Sequence, residues 1–144
     1  MIIQLVFGSL LIAATSMVAA VSWLGLELIL IRTHQWAERP PHFIKLAFAL
    51  LMALLWSILM VTISVWIWAI AFWLLQIFDT FESAVYFSLV AFTTLGFGDI
   101  LLPVEWRLLG GLAAANGLLI FGLLTAMLIE TLRQTRLRQL GPKS

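Results

Sequence analysis

Thr93–Asp99 is the run whose residue types and spacing could best do chemistry in this chain, with the sequence Thr-Thr-Leu-Gly-Phe-Gly-Asp. Gly96 and Gly98 alternate with larger residues, and glycine adopts backbone angles that other residues avoid. Successive backbone carbonyls could therefore be turned toward a passing cation, with the Thr94 hydroxyl as a further oxygen ligand. The spacing indicates a backbone built to bind a cation.

The composition indicates that lipid surrounds the elements that position this run. Of the 144 residues, 63% are hydrophobic and 10% are charged, and the mean hydropathy is +1.11. A soluble domain of this size could not bury so much apolar surface. The chain contains no cysteine, which excludes disulfides and thiolate metal sites. The sequence therefore predicts an integral membrane protein.

Three apolar stretches are long enough to cross a bilayer, which takes about 20 helical residues. They are Ile2–Ile31, Ile44–Phe78 and Leu108–Leu132. The first could instead be a signal peptide, because Val18-Ala19-Ala20 resembles a cleavage site. No lysine or arginine precedes it, however, and the apolar run continues beyond the length of a signal peptide, which favours a retained span.

Basic residues predict the orientation of these spans. Seven of the eight flank the first linker or follow the third stretch: Arg32, Arg39, Lys45, Arg133, Arg136, Arg138 and Lys143. Basic residues concentrate on the cytoplasmic side of membrane proteins, so three crossings give an outside N-terminus and a cytoplasmic C-terminus in the cell membrane. The acidic residues Asp79, Glu82, Asp99 and Glu105 would then lie near the outer face.

The region between the second and third stretches contains a short apolar segment, Ser83–Thr93. Asp79 and Glu82 form a D-x-x-E pattern typical of a helix start. A helix of about 13 residues is about 20 Å long, too short to cross. It is therefore expected to enter from outside and stop partway, with irregular backbone returning outward. Such backbone is tolerated at that depth only where protein buries it or it lines a watery path.

Ala84–Asp99 resembles the pore helix and selectivity filter of tetrameric potassium channels, whose usual filter is Thr-Val-Gly-Tyr-Gly-Asp. Asn116–Leu123 resembles their inner helix, with Gly117 at the hinge position. The resemblance covers roughly 44–132 and leaves the first span without a counterpart in the minimal two-span channels. It implies an all-α membrane fold, with three spanning helices, a re-entrant pore helix and an extended filter, assembled as a homotetramer.

The expected organisation follows from this resemblance. It is an N-terminal helix at 1–31, a cytoplasmic linker at 32–43, a pore module at 44–132 and a basic tail at 133–144. Within the module the expected elements are an outer helix at 44–78, a pore helix at 80–93, a filter at 94–99 and an inner helix at 107–132. The carbonyls of Thr94, Leu95, Gly96 and Phe97 would line the ion sites, with Gly98 at the outer mouth.

Two residues depart from the usual filter, because Leu95 replaces valine and Phe97 replaces tyrosine. The missing hydroxyl of Phe97 leaves no partner unsatisfied, since the matching pore-helix positions are apolar. Val90 stands where some relatives have an acid, so Asp99 would lose that partner too. The residues expected to support the filter, by packing, are Thr93, Asp99, Phe87, Val90 and Ala91.

The third span contains the candidates for the inner pore and gate. Gly117 could act as a hinge or permit close helix packing. Phe121, Thr125 and Ile129 recur at helical spacing and would line the pore or pack between subunits. Asn116 could face the cavity, although a hydrogen bond to a neighbouring helix is the favoured alternative. Gly110, Gly111 and Gly122 are expected to serve packing.

The sequence therefore predicts a potassium channel that passes ions passively, and not an enzyme. Potassium is the permeant ion, with no other cofactor and no nucleic acid. A weakly selective cation channel and a non-conducting accessory subunit remain alternatives. Membrane lipids are expected partners; the basic tail could recognise anionic lipid, although topology alone accounts for it. Small residues of the first span (Gly8, Ser9, Ala13, Ser16 and Ala20) could pack on the pore or bind another protein.

Overall fold

A computed structural model of the protein describes residues 1–32 and 42–140. Within those ranges the chain forms α1 (Ile2–Arg32), α2 (His42–Leu74), α3 (Phe81–Phe92), a 3-10 turn (Val104–Trp106) and α4 (Arg107–Leu140), with no strand. Three segments are long and apolar enough to cross a membrane: Ile2–Gly25, Phe43–Leu74 and Val104–Gln134. The predicted all-α fold with three spanning helices is confirmed. The predicted linker lies mostly outside the described residues.

The second helix ends earlier than the sequence indicates, at Leu74 rather than Phe78. Gln76 has a φ of 54°, the left-handed conformation that commonly follows a helix. The N–H of Gln76 donates to the Trp73 carbonyl (2.9 Å), and that of Ile77 donates to the Phe72 carbonyl (3.1 Å). These bonds form a Schellman motif, which satisfies the last carbonyls of α2 and turns the chain toward α3.

The fourth helix runs further than the sequence indicates, because residues 133–140 continue it instead of forming a separate tail. Glu130 accepts hydrogen bonds from Arg133 (3.0 Å) and Gln134 (2.9 Å). Such i, i+3 and i, i+4 pairs favour helix, and the first residues that would stop it are Gly141 and Pro142. The last four residues of the chain lie outside the described structure.

An aromatic cluster joins α2 to α3 beneath the glycine run. Phe72 is fully buried and packs edge to face on Phe87 (centroids 5.4 Å apart) and on Phe78 (6.1 Å). Trp68, also fully buried, lies 5.8 Å from Phe72. Apolar burial gives little driving force in lipid, so the close fit of these rings stabilises the interface. The cluster anchors α3 to the C-terminal end of α2.

The first helix packs parallel to α4. Gln4 donates a hydrogen bond to the Glu105 carbonyl near the start of α4, and Thr15 accepts one from Asn116 further along. Between them, a Cβ at Gly8 would overlap the Leu112 side chain, so glycine permits the close approach. The N-terminus therefore lies at the same end of the bundle as the segment between α3 and α4.

Candidate functional site

The short helix α3 starts one residue later than the sequence indicates. Thr80, and not Asp79, is its N-cap: the backbone there is extended (φ −119°, ψ 146°), and the Thr80 hydroxyl accepts the Ser83 N–H at 3.2 Å. The 12 residues of Phe81–Phe92 measure about 18 Å, which agrees with a helix that enters the membrane without crossing it.

The end of α3 sets the direction of the glycine run. The N–H of Thr94 donates to the Ala91 carbonyl (2.9 Å), and that of Leu95 donates to the Val90 carbonyl (3.0 Å). This is again a Schellman motif, and Thr94 occupies its left-handed position with a φ of 58°. A β-branched residue is unusual there, and the left-handed conformation costs such a residue roughly 1–2 kcal/mol. Strain of this kind is typical of functional backbone.

Every second residue of the run adopts positive φ. Thr94, Gly96 and Gly98 have φ values of 58°, 59° and 76°, whereas Leu95 and Phe97 do not share this conformation. The chain at 95–98 is thus irregular rather than a strand. A Cβ at either glycine would meet nothing within 4 Å, so the backbone angle, and not crowding, is what requires glycine. Left-handed and right-handed backbone conformations alternate along the run, so the rotation introduced at one residue is reversed at the next. Successive backbone carbonyls can therefore point to the same side of the chain.

The side chains of the run are uncovered in the single chain. Leu95 is 57% exposed and Phe97 is 66% exposed. The packing shell expected around these two side chains is therefore not supplied by their own chain. Behind the run lies a cavity of about 310 Å³, whose lining includes Phe87, Val90 and Ala91.

Four of the five residues expected to support the run belong to α3 or to its C-terminal end. Phe87 belongs to the aromatic cluster, and its ring centroid lies 5.3 Å from that of Phe78. This contact joins α3 to the turn after α2. Val90 is buried, and Ala91 is half-buried. Thr93 is exposed, and its hydroxyl donates to the Leu89 carbonyl at 2.8 Å. All four therefore lie on α3 or at its end, and their support of the run stays a prediction.

Asp99 has a partner that the sequence analysis missed. The Tyr86 hydroxyl donates to the Asp99 carboxylate at 2.5 Å, joining the first half of α3 to the far end of the run. This hydrogen bond lowers the pKa of Asp99 below its usual value, because it stabilises the charged form. Asp99 therefore has a phenol as its partner in place of the acid that Val90 replaces. Tyr86, the only tyrosine of the chain, was the available signal.

Gly117 is a point of contact between α4 and the end of α3. A Cβ there would lie 2.6 Å from the Phe92 carbonyl carbon, and closer still to its oxygen. Of the two alternatives for Gly117, close packing is thus required by the structure, and α4 continues through this position. Gly110 is also a packing residue, since a Cβ would lie 2.7 Å from Leu102. A Cβ at Gly111 or Gly122 would meet nothing within 4 Å.

The neighbouring residue, Asn116, points to a different face of α4. Its Nδ2 donates to the Thr15 hydroxyl at 2.7 Å, and both side chains are fully buried. The favoured alternative, a hydrogen bond to another helix, is confirmed. The acceptor belongs to α1, a helix to which the sequence assigns no definite role.

The three inner-pore candidates lie on an uncovered face of α4. Phe121, Thr125 and Ile129 are exposed in the single chain, and the Thr125 hydroxyl donates to the Phe121 carbonyl at 2.8 Å. The Phe121 ring lies 6.1 Å from that of Phe92, at the end of α3. This face is free for a water-filled path or for another subunit.

No group of three or more His, Asp or Glu side chains within 1–32 and 42–140 could hold a metal ion. The C-terminal end of α3 places the negative end of its dipole next to the glycine run.

Comparison with known proteins adds a family to this geometry. A protein family described as ion channels, with a two-span potassium-channel-type pore domain, matches residues 48–134, which is more than half of the chain. This chain belongs to that ion channel family. Comparison with curated proteins and with solved structures returned no match.

The extent of the match agrees with the architecture of an ion channel. It includes most of α2, all of α3 and the glycine run, and α4 as far as Gln134. All of α1 precedes it. The predicted resemblance is confirmed for the pore region, and the protein is an integral membrane channel with an additional helix.

Proposed function

We propose that this protein is a potassium-selective channel, in which four copies surround an axis and Thr93–Asp99 of each copy forms one wall of a selectivity filter. Potassium passes passively down its electrochemical gradient. The carbonyls of Thr94, Leu95, Gly96 and Phe97 and the Thr94 hydroxyl replace the hydration shell, with Gly98 at the outer mouth. This use of carbonyls is the general chemistry of potassium filters and is carried over from them.

The observation that carries the proposal is the alternation of positive φ at Thr94, Gly96 and Gly98. An ordinary loop does not need a threonine in a strained backbone conformation, because that strain costs free energy. Positive φ at alternate residues does, however, turn several carbonyls to one side of the chain. Because a single short segment offers too few oxygens to surround an ion, copies of the chain must complete the site.

The exposure of Leu95 and Phe97 supports the oligomer. Two large apolar side chains flank the ion-binding backbone, and their own chain does not cover them. In a tetramer each would pack between neighbouring subunits, behind the filter and away from the ion. The proposed orientation places the filter mouth and the N-terminus outside the cell membrane, with the end of α4 in the cytoplasm.

Ion flux into liposomes tests this function. Purified protein should carry potassium and rubidium, exclude sodium, and be blocked by barium. Equal sodium permeability would replace the proposal with a weakly selective cation channel of the same architecture, which the missing hydroxyl of Phe97 favours. No flux from a verified tetramer, across several lipids and pH values, would instead favour a non-conducting accessory subunit.

Gly96→Ala tests the filter assignment itself. Alanine meets no neighbour at this position but is strained at a φ of 59°, at a cost of roughly 1 kcal/mol. Potassium flux should be lost while tetramers still form. Gly25→Ala is the matched control, because its Cβ would make an ordinary 3.9 Å contact with Trp56. Unchanged conductance in the Gly96 variant would remove Thr93–Asp99 as the filter.

A further inference from the structure

The additional helix α1 contacts α4 at the level of the proposed filter. The contact is a buried hydrogen bond between Asn116 and Thr15. The next residue of α4, Gly117, lies against the Phe92 carbonyl at the end of α3. Consecutive residues point about 100° apart on a helix, so α4 is held between α1 on one face and α3 on another.

The hydrogen bond has a defined direction. The Thr15 hydroxyl donates within α1, to the carbonyls of Leu11 (2.9 Å) and Ile12 (3.0 Å). Its oxygen must therefore accept, and the amide of Asn116 must present Nδ2 to it. This requirement fixes the orientation of the Asn116 side chain and restricts rotation of α4 about its axis.

The same asparagine is a poor choice for stability alone. Its Oδ1 is buried and has no hydrogen-bond partner among the described residues. An unpaired buried acceptor is unfavourable, and an apolar residue of similar size would avoid it. Asn116 thus orients α4 while leaving a polar atom unsatisfied.

We propose that Thr15 and Asn116 are positioning residues for conduction, which rests on the function proposed above. Their hydrogen bond sets the rotation of α4 that keeps Gly117 against Phe92. Phe92 precedes Thr93 and Thr94, so this contact holds the inner end of the filter in its strained conformation. The additional helix is then a working part of the conduction pathway, and filter behaviour depends on a side chain outside the pore module.

Single-channel recording on four variants tests the idea. Thr15→Val and Asn116→Leu each remove the hydrogen bond, Thr15→Ser retains it, and the double variant Thr15→Val/Asn116→Leu completes a cycle. Hydrogen bonds between membrane helices are worth amounts that correspond to roughly 3- to 20-fold in an equilibrium. We expect the mean open time or the dwell time of barium block to change by that factor in both single variants, and no further in the double variant.

Thr62→Val is the matched control. The Thr62 hydroxyl donates to the Ile58 carbonyl within α2 (2.9 Å) and is exposed, so its removal should leave open time and barium block unchanged. Thermal survival of the tetramer separates function from stability. Asn116→Leu should survive heating as well as the wild type, because it removes an unpaired acceptor.

Three results would overturn the proposal. In the first, Thr15→Val leaves open time and barium block unchanged, as Thr62→Val does. In the second, Thr15→Ser changes open time or block as much as Thr15→Val does. In the third, the variants form fewer tetramers, but the tetramers that remain have the open time and block of the wild type. Hydrogen exchange of residues 88–95 gives a measurement independent of current, with faster exchange expected in Thr15→Val but not in Thr15→Ser. If the wild type does not conduct, the proposed function fails. The exchange measurement still decides whether the contact of α1 with α4 stabilises residues 88–95.

Discussion

Tyr86 and Asp99 show how one side-chain pair can brace an otherwise apolar filter region. The carboxylate lies at the end of the glycine run and the phenol on α3, so their hydrogen bond joins residues 13 positions apart. Both groups are exposed in the single chain. In the proposed orientation the pair would couple the proposed filter to the outside pH.

Tyr86→Phe should shift the pH dependence of potassium flux. The wild-type Asp99 has a lowered pKa, so its charge and its stabilising hydrogen bond persist until the pH falls below the usual range for aspartate. Without the phenol, the pKa should rise and acid inhibition should begin at higher external pH. Flux measured between about pH 3 and pH 7 tests this shift. Asp99→Asn is the control and should lack the acid step; identical midpoints for wild type and Tyr86→Phe would contradict the coupling.

Thr94 is the second residue whose local chemistry makes a clear prediction. Thr94→Gly should raise the free energy of unfolding by about 1 kcal/mol, because it relieves the left-handed strain. The same change removes the hydroxyl proposed as an ion ligand, so potassium flux should fall. Thermal unfolding and liposome flux on the same preparation measure both effects. A less stable variant would show that the Thr94 side chain contributes more than its conformation costs.

At the scale of elements, the structure depends on how α3 is held at its two ends. Its first residue packs edge to face on Trp66 and Trp73 of α2, and its last carbonyl lies against Gly117 of α4. A short re-entrant helix has no lipid-spanning length of its own to fix its depth. Its position therefore depends on these contacts, and so does the geometry of the glycine run that follows.

Gly117→Ala should disrupt this arrangement. The new methyl group would collide with backbone rather than with a flexible side chain, so α4 must move away from α3. Overpacking of this kind costs typically 1–3 kcal/mol, and tetramer stability to heat should fall accordingly. Gly25→Ala, which gains only an ordinary contact, should remain as stable as the wild type. Equal stability of the two variants would show that the close approach of α3 and α4 is not maintained in the membrane.

At the scale of the whole molecule, the bundle has a definite polarity. Gln4 meets Glu105 at the end where the glycine run emerges, and α4 leads to the opposite end. Basic residues such as Arg133 and Arg136 lie at that opposite end, which predicts a cytoplasmic location. Arg39 and Lys143, two of the seven basic residues that predict the orientation, lie outside the described residues.

Cysteine labelling tests this orientation on a clean background, because the chain has no native cysteine. A membrane-impermeant thiol reagent should label Ile2→Cys and Val104→Cys in intact cells, since both side chains are exposed at the predicted outer end. Leu137→Cys, also exposed, should be labelled only after permeabilisation. The reverse pattern would place the C-terminus outside.

The sequence by itself determined the membrane class, the three spans and the short apolar helix between the second and third spans, because the length of an apolar helix follows directly from the thickness of a bilayer. It also indicated the need for glycine at 96 and 98, since backbone angles are a local property. Only the tertiary structure decided what depends on distant residues meeting: the Tyr86 brace on Asp99, the contact of Gly117 with Phe92, and the place of α1 beside Asn116. Thr15 and Asn116 are 101 positions apart. No local pattern specifies such a pair, because the packing of whole helices brings them together.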